Sequence, residues 1–275
     1  MNTILDKIIA HKRTEVAQKS ELVPVKLLEQ SIYFHTPVVS LSRYLTRPDK
    51  IGIIAEFKRK SPSKGDINRY AQVEEVSIGY MQGGASALSI LTDTTFFGGK
   101  NADLQEARKF NFCPILRKDF IVSEYQILEA RSIGADAILL LASALSYDEI
   151  RRFTAFARSL GLEVLIEIHE EAHLDKISPE AQVIGVNNRD LRDFSVDMQR
   201  SMDLLPFLPS EMVPISESGL SMPETVADLK QAGFKGFLMG EAFMTTDRPG
   251  QACRQFIQDV RRIETARRHP QTIHS

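Results

Sequence analysis

Several apolar stretches of this chain run out into a side chain that can carry a proton or a charge. They end in Glu56 with Lys58, in Lys118, in Glu167, in Asn187 and in Glu217. An ammonium can protonate or stabilise a developing oxyanion, and a carboxylate can take a proton or orient the ammonium. Both signs of charge, recurring at the same place in a repeating pattern, point to acid–base work at one mouth. The densest of these ends is IIAEFKRKSPSKGDI, from Ile53 to Ile67. Strand alternation puts Glu56 and Lys58 on one face, an acid and a base that are costly to bury unless something uses them. Pro62 and Gly65 then set a turn whose amides and hydroxyls suit an anion.

Two later stretches add to the anion signal. Ser216-Glu217-Ser218-Gly219 follows the seventh apolar run, and Gly240-Glu241-Ala242-Phe243-Met244 follows the eighth. Glycine lets an anion approach backbone amides closely, and barrels that take phosphorylated substrates often hold the phosphate in these last two loops. Two other patterns carry less. His169-Glu170-Glu171-Ala172-His173 has the spacing of a zinc helix. It opens the segment after the fifth run, though, without the long helix and third ligand that zinc enzymes use. No bound metal and no cofactor is expected. The basic cluster from Lys58 to Lys64 is isolated and holds no interleaved aromatics, so nucleic acid is not expected either.

The elements that must position these residues alternate between strand and helix. Apolar runs rich in Ile, Leu and Val occupy residues 51–57, 85–91, 113–116, 137–141, 164–168, 183–186, 213–215 and 237–239. Amphipathic helical stretches lie between them, several stopped by a glycine such as Gly134, Gly161 or Gly233. With no hairpin signal, this pattern predicts a parallel sheet closed as a (β/α)8 barrel, an α/β fold whose strand ends converge on one mouth. No glycine-rich dinucleotide fingerprint follows the first strand, which disfavours an open doubly wound sheet. Ahead of the barrel, Ile4, Leu5, Ile8, Ile9 and Val16 fall at helical spacing, with Thr3 as N-cap and Asp6 three residues on. A second short helix follows Pro24. Residues 1–48 are therefore expected to form a helical extension packed on a barrel of residues 49–265, either as a clasp or as a lid. A polar tail, residues 266–275, is expected to fray from about Glu264 onward, and the whole is expected to be one domain.

At 275 residues and 43% hydrophobic, the chain can bury a core that needs no disulfide or metal. A formal net charge of −2 gives no electrostatic reason for a nucleic-acid or membrane partner. Cys113 and Cys253 are too few for a disulfide framework and suit a reducing compartment. Charges interrupt the N-terminal MNTILDKIIAHKR, no small-residue cleavage site follows, and no apolar run approaches the ~20 residues of a membrane span. The expected location is cytoplasmic.

The segment IIAEFKRKSPSKGDI resembles the signature of the indole-3-glycerol-phosphate synthase family, barrel enzymes of tryptophan biosynthesis. The resemblance continues through LRKDFIV at 116–122, LIEIHEE at 165–171, IGVNNRDL at 184–191, SESG at 216–219 and GEAFM at 240–244. The N-terminal ILDKIIAHKRTEV resembles that family's appended helices. The resemblance implies a cofactor-free carboxy-lyase. It would convert 1-(2-carboxyphenylamino)-1-deoxyribulose 5-phosphate to indole-3-glycerol phosphate, with loss of carbon dioxide and water. It implies that Lys118 is the general acid, oriented by Glu56 and Glu167, with Lys58 among the groups that remove the hydroxyl and Glu217 a further acid of the mouth. Asn187 and Arg189 would sit near the substrate carboxylate and hydroxyls. Ser61, Ser218, Gly219, Gly240 and the backbone amide of Glu241 would cradle the phosphate, and Pro62, Phe97, Phe120, Leu139 and Leu191 would wall the aromatic ring. The implied partner is this small phosphorylated substrate alone, with no membrane, on a monomer or a weak homodimer without a fused isomerase domain. Alternation turns Lys118 towards the barrel and leaves Arg117 on the opposite face, where replacement is expected to be mild. Two other readings fit parts of the pattern. Another phosphate-binding barrel, an isomerase or aldolase, has no need of lysines at two separate strand ends; a catalytically silent binding paralogue has no need of the full charged set.

Overall fold

Strands linked only by long crossovers must pair in parallel, and eight of them can bury both faces by closing on themselves. The protein is described by a computed structural model covering residues 3–190 and 194–268. Its strands are β1 (Ile53–Phe57), β2 (Ala87–Leu91), β3 (Ile115–Lys118), β4 (Ala137–Leu141), β5 (Glu163–Ile168), β6 (Val183–Asn187), β7 (Val213–Glu217) and β8 (Gly236–Met239). They form a closed parallel barrel in the order β1-β8-β7-β6-β5-β4-β3-β2. Each lies within or against one of the apolar runs seen in the sequence. Lys118, Asn187 and Glu217 are the last residues of their strands rather than the first residues beyond them.

Alternation divides each strand between two cores. Ile53, Ala55, Ile90, Ile115, Ile138, Ile166, Val186 and Phe237 face outward into the layer shared with the helices. Ile54, Ala87, Leu116, Leu139, Leu165, Val183, Ile215 and Leu238 fill the barrel. Continuing along that inward face, towards the C-terminal ends, come Glu56, Ser89, Lys118, Glu167, Asn187 and Glu217. The apolar filling thus becomes the floor of a polar mouth.

The helices packed around the strands are α4 (Val73–Gly83), α5 (Asn101–Phe110), α6 (Glu124–Ser132), α7 (Tyr147–Ser159), α8 (Gln199–Leu204), α9 (Pro223–Ala232), the short α10 (Glu241–Met244) and α11 (Pro249–Arg268). The crossover from β5 to β6 carries only a 3-10 turn, Glu171–Lys176, so His169 and His173 do not lie on a regular α-helix. Glu264 lies inside α11 and pairs with Lys230 at 3.2 Å, which corrects the expectation of a tail fraying from that residue. A small antiparallel hairpin, Lys60–Ser61 with Gly65–Asp66, interrupts the loop after β1. The pattern gave no sign of it, because two rungs are too short for alternation to register.

The outward face of β3 corrects a second expectation. Arg117 does point away from Lys118, but the helix layer covers it completely. Its guanidinium meets Glu129 Oε2 at 2.6 Å and Asp119 Oδ2 at 3.1 Å, and donates to Thr92 Oγ1 and the Gln126 carbonyl. Removing one partner from such a buried pair is strongly destabilising.

The extension reaches both ends of the barrel. α1 (Ile4–Leu22) starts with Thr3 and Asp6 in a reciprocal capping box and lies across the mouth. α2 (Val25–Glu29) packs beside α6, where the Tyr125 hydroxyl donates to the Val23 carbonyl at 2.9 Å. α3 (Leu41–Leu45) inserts Leu41 and Leu45 into the interior cluster at the opposite end. There Ser40 Oγ and the Ser42 amide bind the Glu163 carboxylate at 2.5 and 2.7 Å, at the start of β5.

Candidate active site

At the C-terminal ends of the strands lies a cavity of about 740 Å³. It is lined by Glu56, Lys58, Ser61, Pro62, Phe97, Lys118, Phe120, Leu139, Glu167, Asn187, Arg189, Glu217, Ser218, Gly219, Gly240 and Glu241. These are all the site residues named from the sequence except Leu191, which lies outside the described residues. Ile4, Leu5 and Ile8 of α1 close part of the opening.

The centre of the floor is one ammonium among carboxyl groups. Lys118 Nζ donates to Glu167 Oε2 at 3.1 Å and faces Glu217 Oε2 at 3.6 Å. Burial works against its charge, but Glu167, Glu217 and Glu56 outweigh that and hold its pKa well above the ordinary lysine value. Burial alone would raise Glu167, yet Lys118, His169 and a hydrogen bond from Asn187 Nδ2 at 3.0 Å bring it down to about 2. Glu217 goes the other way: burial and the charge of Glu167 push it well above the usual carboxylate range. As an anion it would meet Glu167 acceptor to acceptor, and among the described residues neither of its oxygens accepts a hydrogen bond. A proton on Glu217 removes that conflict. The floor therefore sets an ammonium and a carboxylate beside a second carboxyl group whose surroundings favour its protonated form.

Across the floor, Lys58 Nζ donates to Glu56 Oε1 at 2.8 Å, as their i, i+2 spacing on one strand face requires. Ser89 Oγ donates to the other oxygen of Glu56 at 3.2 Å. Burial would raise the Glu56 pKa, but Lys58 and Lys118 together lower it.

The polar rim comes from the loops. Arg189 donates to the Phe194 carbonyl at 3.2 Å and approaches Glu241 Oε2 at 3.4 Å. Lys64 reaches Glu241 Oε1 at 3.5 Å, and the Lys64 amide donates to Ser61 Oγ at 3.2 Å. Ser218 and Gly219 both adopt positive φ, 66° and 76°. The opposite wall is apolar, with the Phe97 and Phe120 rings 5.8 Å apart between centroids.

Some residues that shape this site carried no sequence signal. A Cβ on Gly185 would lie 2.2 Å from Glu217 Oε1, so glycine on β6 leaves the room that the Glu217 carboxyl occupies. Asn188 is fully buried, and its Nδ2 donates to Ser216 Oγ and to the carbonyls of Glu217 and Ser218, fixing the end of β7. His169 Nε2 stands 3.3 Å from Glu167 Oε1, and burial lowers its pKa against the pull of that carboxylate. The two loop glycines also have a role other than the one their type suggests. A Cβ at Gly219 would strike Val196 at 2.4 Å and Met198 Sδ at 2.7 Å, and one at Gly240 would meet Glu56 at 2.9 Å. Their lack of a side chain is required by protein neighbours, whatever an anion would gain from it.

Among the described residues, no cluster of His, Cys, Asp and Glu has metal-binding geometry, and no helix is long and apolar enough to cross a membrane. A family profile described as Indole-3-glycerol phosphate synthase matches residues 5–256. A protein of Bacteroides thetaiotaomicron named indole-3-glycerol phosphate synthase is 46% identical over 260 residues, covering 94% of this chain and 100% of its own. One of that name from Burkholderia ambifaria is 41% identical over 254 residues, covering 91% and 97%. Among solved structures, 3-hexulose-6-phosphate synthase from Salmonella typhimurium superposes with a TM-score of 0.59 at 14% identity, over 77% of this chain and 99% of that one. A chain of the tryptophan synthase complex from Pyrococcus furiosus does so at 0.56 and 15%, over 77% and 98%. Likeness at that identity speaks for the barrel alone.

Proposed function

The chain belongs to the indole-3-glycerol phosphate synthase family of tryptophan biosynthesis, and from that premise we propose how its own residues close the indole ring. The observation that carries the reading is Lys118, held as an ammonium against Glu167 and Glu217 on the cavity floor. The ring carbon that bears the substrate carboxylate attacks the ketone carbon, and Lys118 stabilises and then protonates the alkoxide that forms. Its raised pKa keeps it charged beforehand, and an alkoxide is basic enough to take the proton. Glu167 orients the ammonium and is itself fixed by Asn187. Carbon dioxide then leaves and its bonding pair restores the aromatic ring, which makes the enzyme a carboxy-lyase.

Loss of the hydroxyl needs an acid and a base close together, and Lys58 with Glu56 supplies them as a hydrogen-bonded pair. Because a carboxylate departs as neutral carbon dioxide and a hydroxyl as water, each turnover takes up one proton. Glu217, neutral and buried, adds a second donor beside Lys118. Arg189 holds the substrate carboxylate. Ser61, Ser218, Gly219, Gly240 and the amide of Glu241 form the phosphate end, and Pro62, Phe97, Phe120 and Leu139 form the wall against the aryl ring. No cofactor enters this scheme. The two free cysteines, both buried, suit a cytoplasmic enzyme.

The test is indole fluorescence on mixing the purified protein with 1-(2-carboxyphenylamino)-1-deoxyribulose 5-phosphate. The chain has no tryptophan, so the protein background is low. Absence of an indole product from a folded sample would refute the reading.

A further inference from the structure

Lys12 has no place in the chemistry above, yet it is among the most completely buried side chains of the molecule, on a helix of the extension. Its ammonium stands 2.8 Å from Asp93 Oδ2, 3.2 Å from Asp119 Oδ1 and 3.0 Å from Glu15 Oε2. Burial opposes its charge, but Asp119 and Asp93 outweigh that and raise its pKa. Each aspartate also has a second task. Asp93 Oδ1 accepts from the amides of Phe96 and Phe97 at 2.7 and 3.1 Å, and Asp119 Oδ1 accepts from the Phe120 amide at 2.8 Å. The two carboxylates that meet at Lys12 are thus the ones that fix the backbone beneath the two aromatic rings of the cavity wall.

We propose that Lys12 is a positioning residue for the aryl-binding wall: by holding Asp93 and Asp119 together it sets the spacing of Phe97 and Phe120, and so the selectivity of the site for the aromatic half of its substrate. The proposal rests on the reading that these two rings receive the aryl group. Without the ammonium, two buried carboxylates face each other. Asp119 still has Arg117 and a hydrogen bond from Thr92 Oγ1. Asp93, whose ion pair among the described residues is to Lys12, is left uncompensated, so the loop after β2 gives way. The phosphate end hangs on β7, β8 and the hairpin after β1, where none of these contacts reach.

The experiment uses the full chain with Lys12→Met, and compares inhibition by 2-(methylamino)benzoate, which mimics the aryl half, with inhibition by inorganic phosphate. A displaced wall should raise KM and the aryl inhibition constant about tenfold or more, since a misplacement near 1 Å can cost far more than that. The phosphate constant should hold, and kcat should fall less than KM rises. Equal changes in both inhibition constants, or none in either, would overturn the proposal. If Lys12→Met does not fold, Asp93→Asn serves instead. It keeps the acceptor for the Phe97 amide but loses the charge that Lys12 holds, so the same selective loss is expected in smaller measure, and an unchanged aryl constant overturns the proposal. Phe97→Leu and Phe120→Leu separate the two levels. If neither weakens the aryl inhibitor, the reading of the wall fails and the proposal with it; if they do and Lys12→Met does not, the positioning role alone is wrong.

Discussion

Neighbouring cations on opposite faces of β3 allow one paired experiment to separate chemistry from architecture. Lys118→Met removes an ammonium from the cavity while nearly keeping its volume; Arg117→Met removes a guanidinium from beneath the helices. For Lys118 the loss is catalytic. General-acid help is typically worth about 10²–10⁴-fold, and the charge it presents to the alkoxide adds to that, so kcat should drop by at least about 10³-fold, or roughly 4 kcal/mol of barrier. KM should change little, because Arg189 and the phosphate loops remain. For Arg117 the loss is structural. It leaves Glu129 to Lys19 alone and Asp119 to Lys12, and breaking a buried pair costs about 3–5 kcal/mol. With an unfolding entropy near 2.1 cal/mol/K per residue, that lowers Tm by roughly 5–10 °C in a chain of this length. The assays are indole fluorescence for kcat and circular dichroism for Tm. Lys118→Arg should fail nearly as badly as Met, since a larger planar guanidinium cannot take the place of the compact ammonium between Glu167 and Glu217. If Lys118→Met keeps more than about a tenth of kcat, Lys58 takes its role. If Arg117→Met melts with the wild type, the guanidinium network does not hold the barrel.

Gly185→Ala places a methyl where the Glu217 carboxyl sits. Its kcat should fall about tenfold or more with the fold intact, and a normal kcat would show that Glu217 does not act where it stands. Gly240→Val should lower kcat as well as raise KM, because its side chain presses on Glu56; a pure KM effect would count against that contact. Glu217→Gln should stabilise the protein increasingly as pH rises from about 4.5. The unfolded chain ionises Glu217 there while the folded state keeps its proton, so the wild type loses stability with rising pH until the raised folded pKa is passed. Urea unfolding at pH 5 and pH 8 measures it, and a pH-independent gap between variant and wild type would refute it. Deleting residues 1–37 removes α1 and α2 but spares α3, so a folded barrel with raised KM is expected. Deleting 1–48 also removes Leu41 and Leu45, about 2–3 kcal/mol of burial each, and should lower Tm further; equal Tm values would show that α3 adds nothing.

What the sequence displays is periodic, and what it hides is relational. The eight strands are legible because eight apolar runs alternate with amphipathic stretches, and Glu56, Lys118, Glu167, Asn187 and Glu217 stand out because each closes such a run. Alternation tells that Arg117 faces away from Lys118, but in a barrel wrapped by helices both faces are buried, so "away" does not mean exposed. Glycine illustrates the same limit. Gly185 in a run of β-branched residues is silent until β7 brings Glu217 against it. Lys12 reads as one more charge on an amphipathic helix, and only the meeting of the loops after β2 and β3 gives it two partners.

The plug at the closed end of the barrel has a consequence for the order of assembly. Leu41 and Leu45 belong to the same cluster as Ile54 of β1 and Leu238 of β8, the first and last strands. Their seat exists only once the ring has closed, so a segment among the first to leave the ribosome docks among the last. Contacts that form after the rate-limiting step do not speed folding; they slow escape from the native state. Leu41→Ala should accordingly leave the refolding rate nearly unchanged and make unfolding faster, so that the extension acts as a latch on a barrel that has already formed.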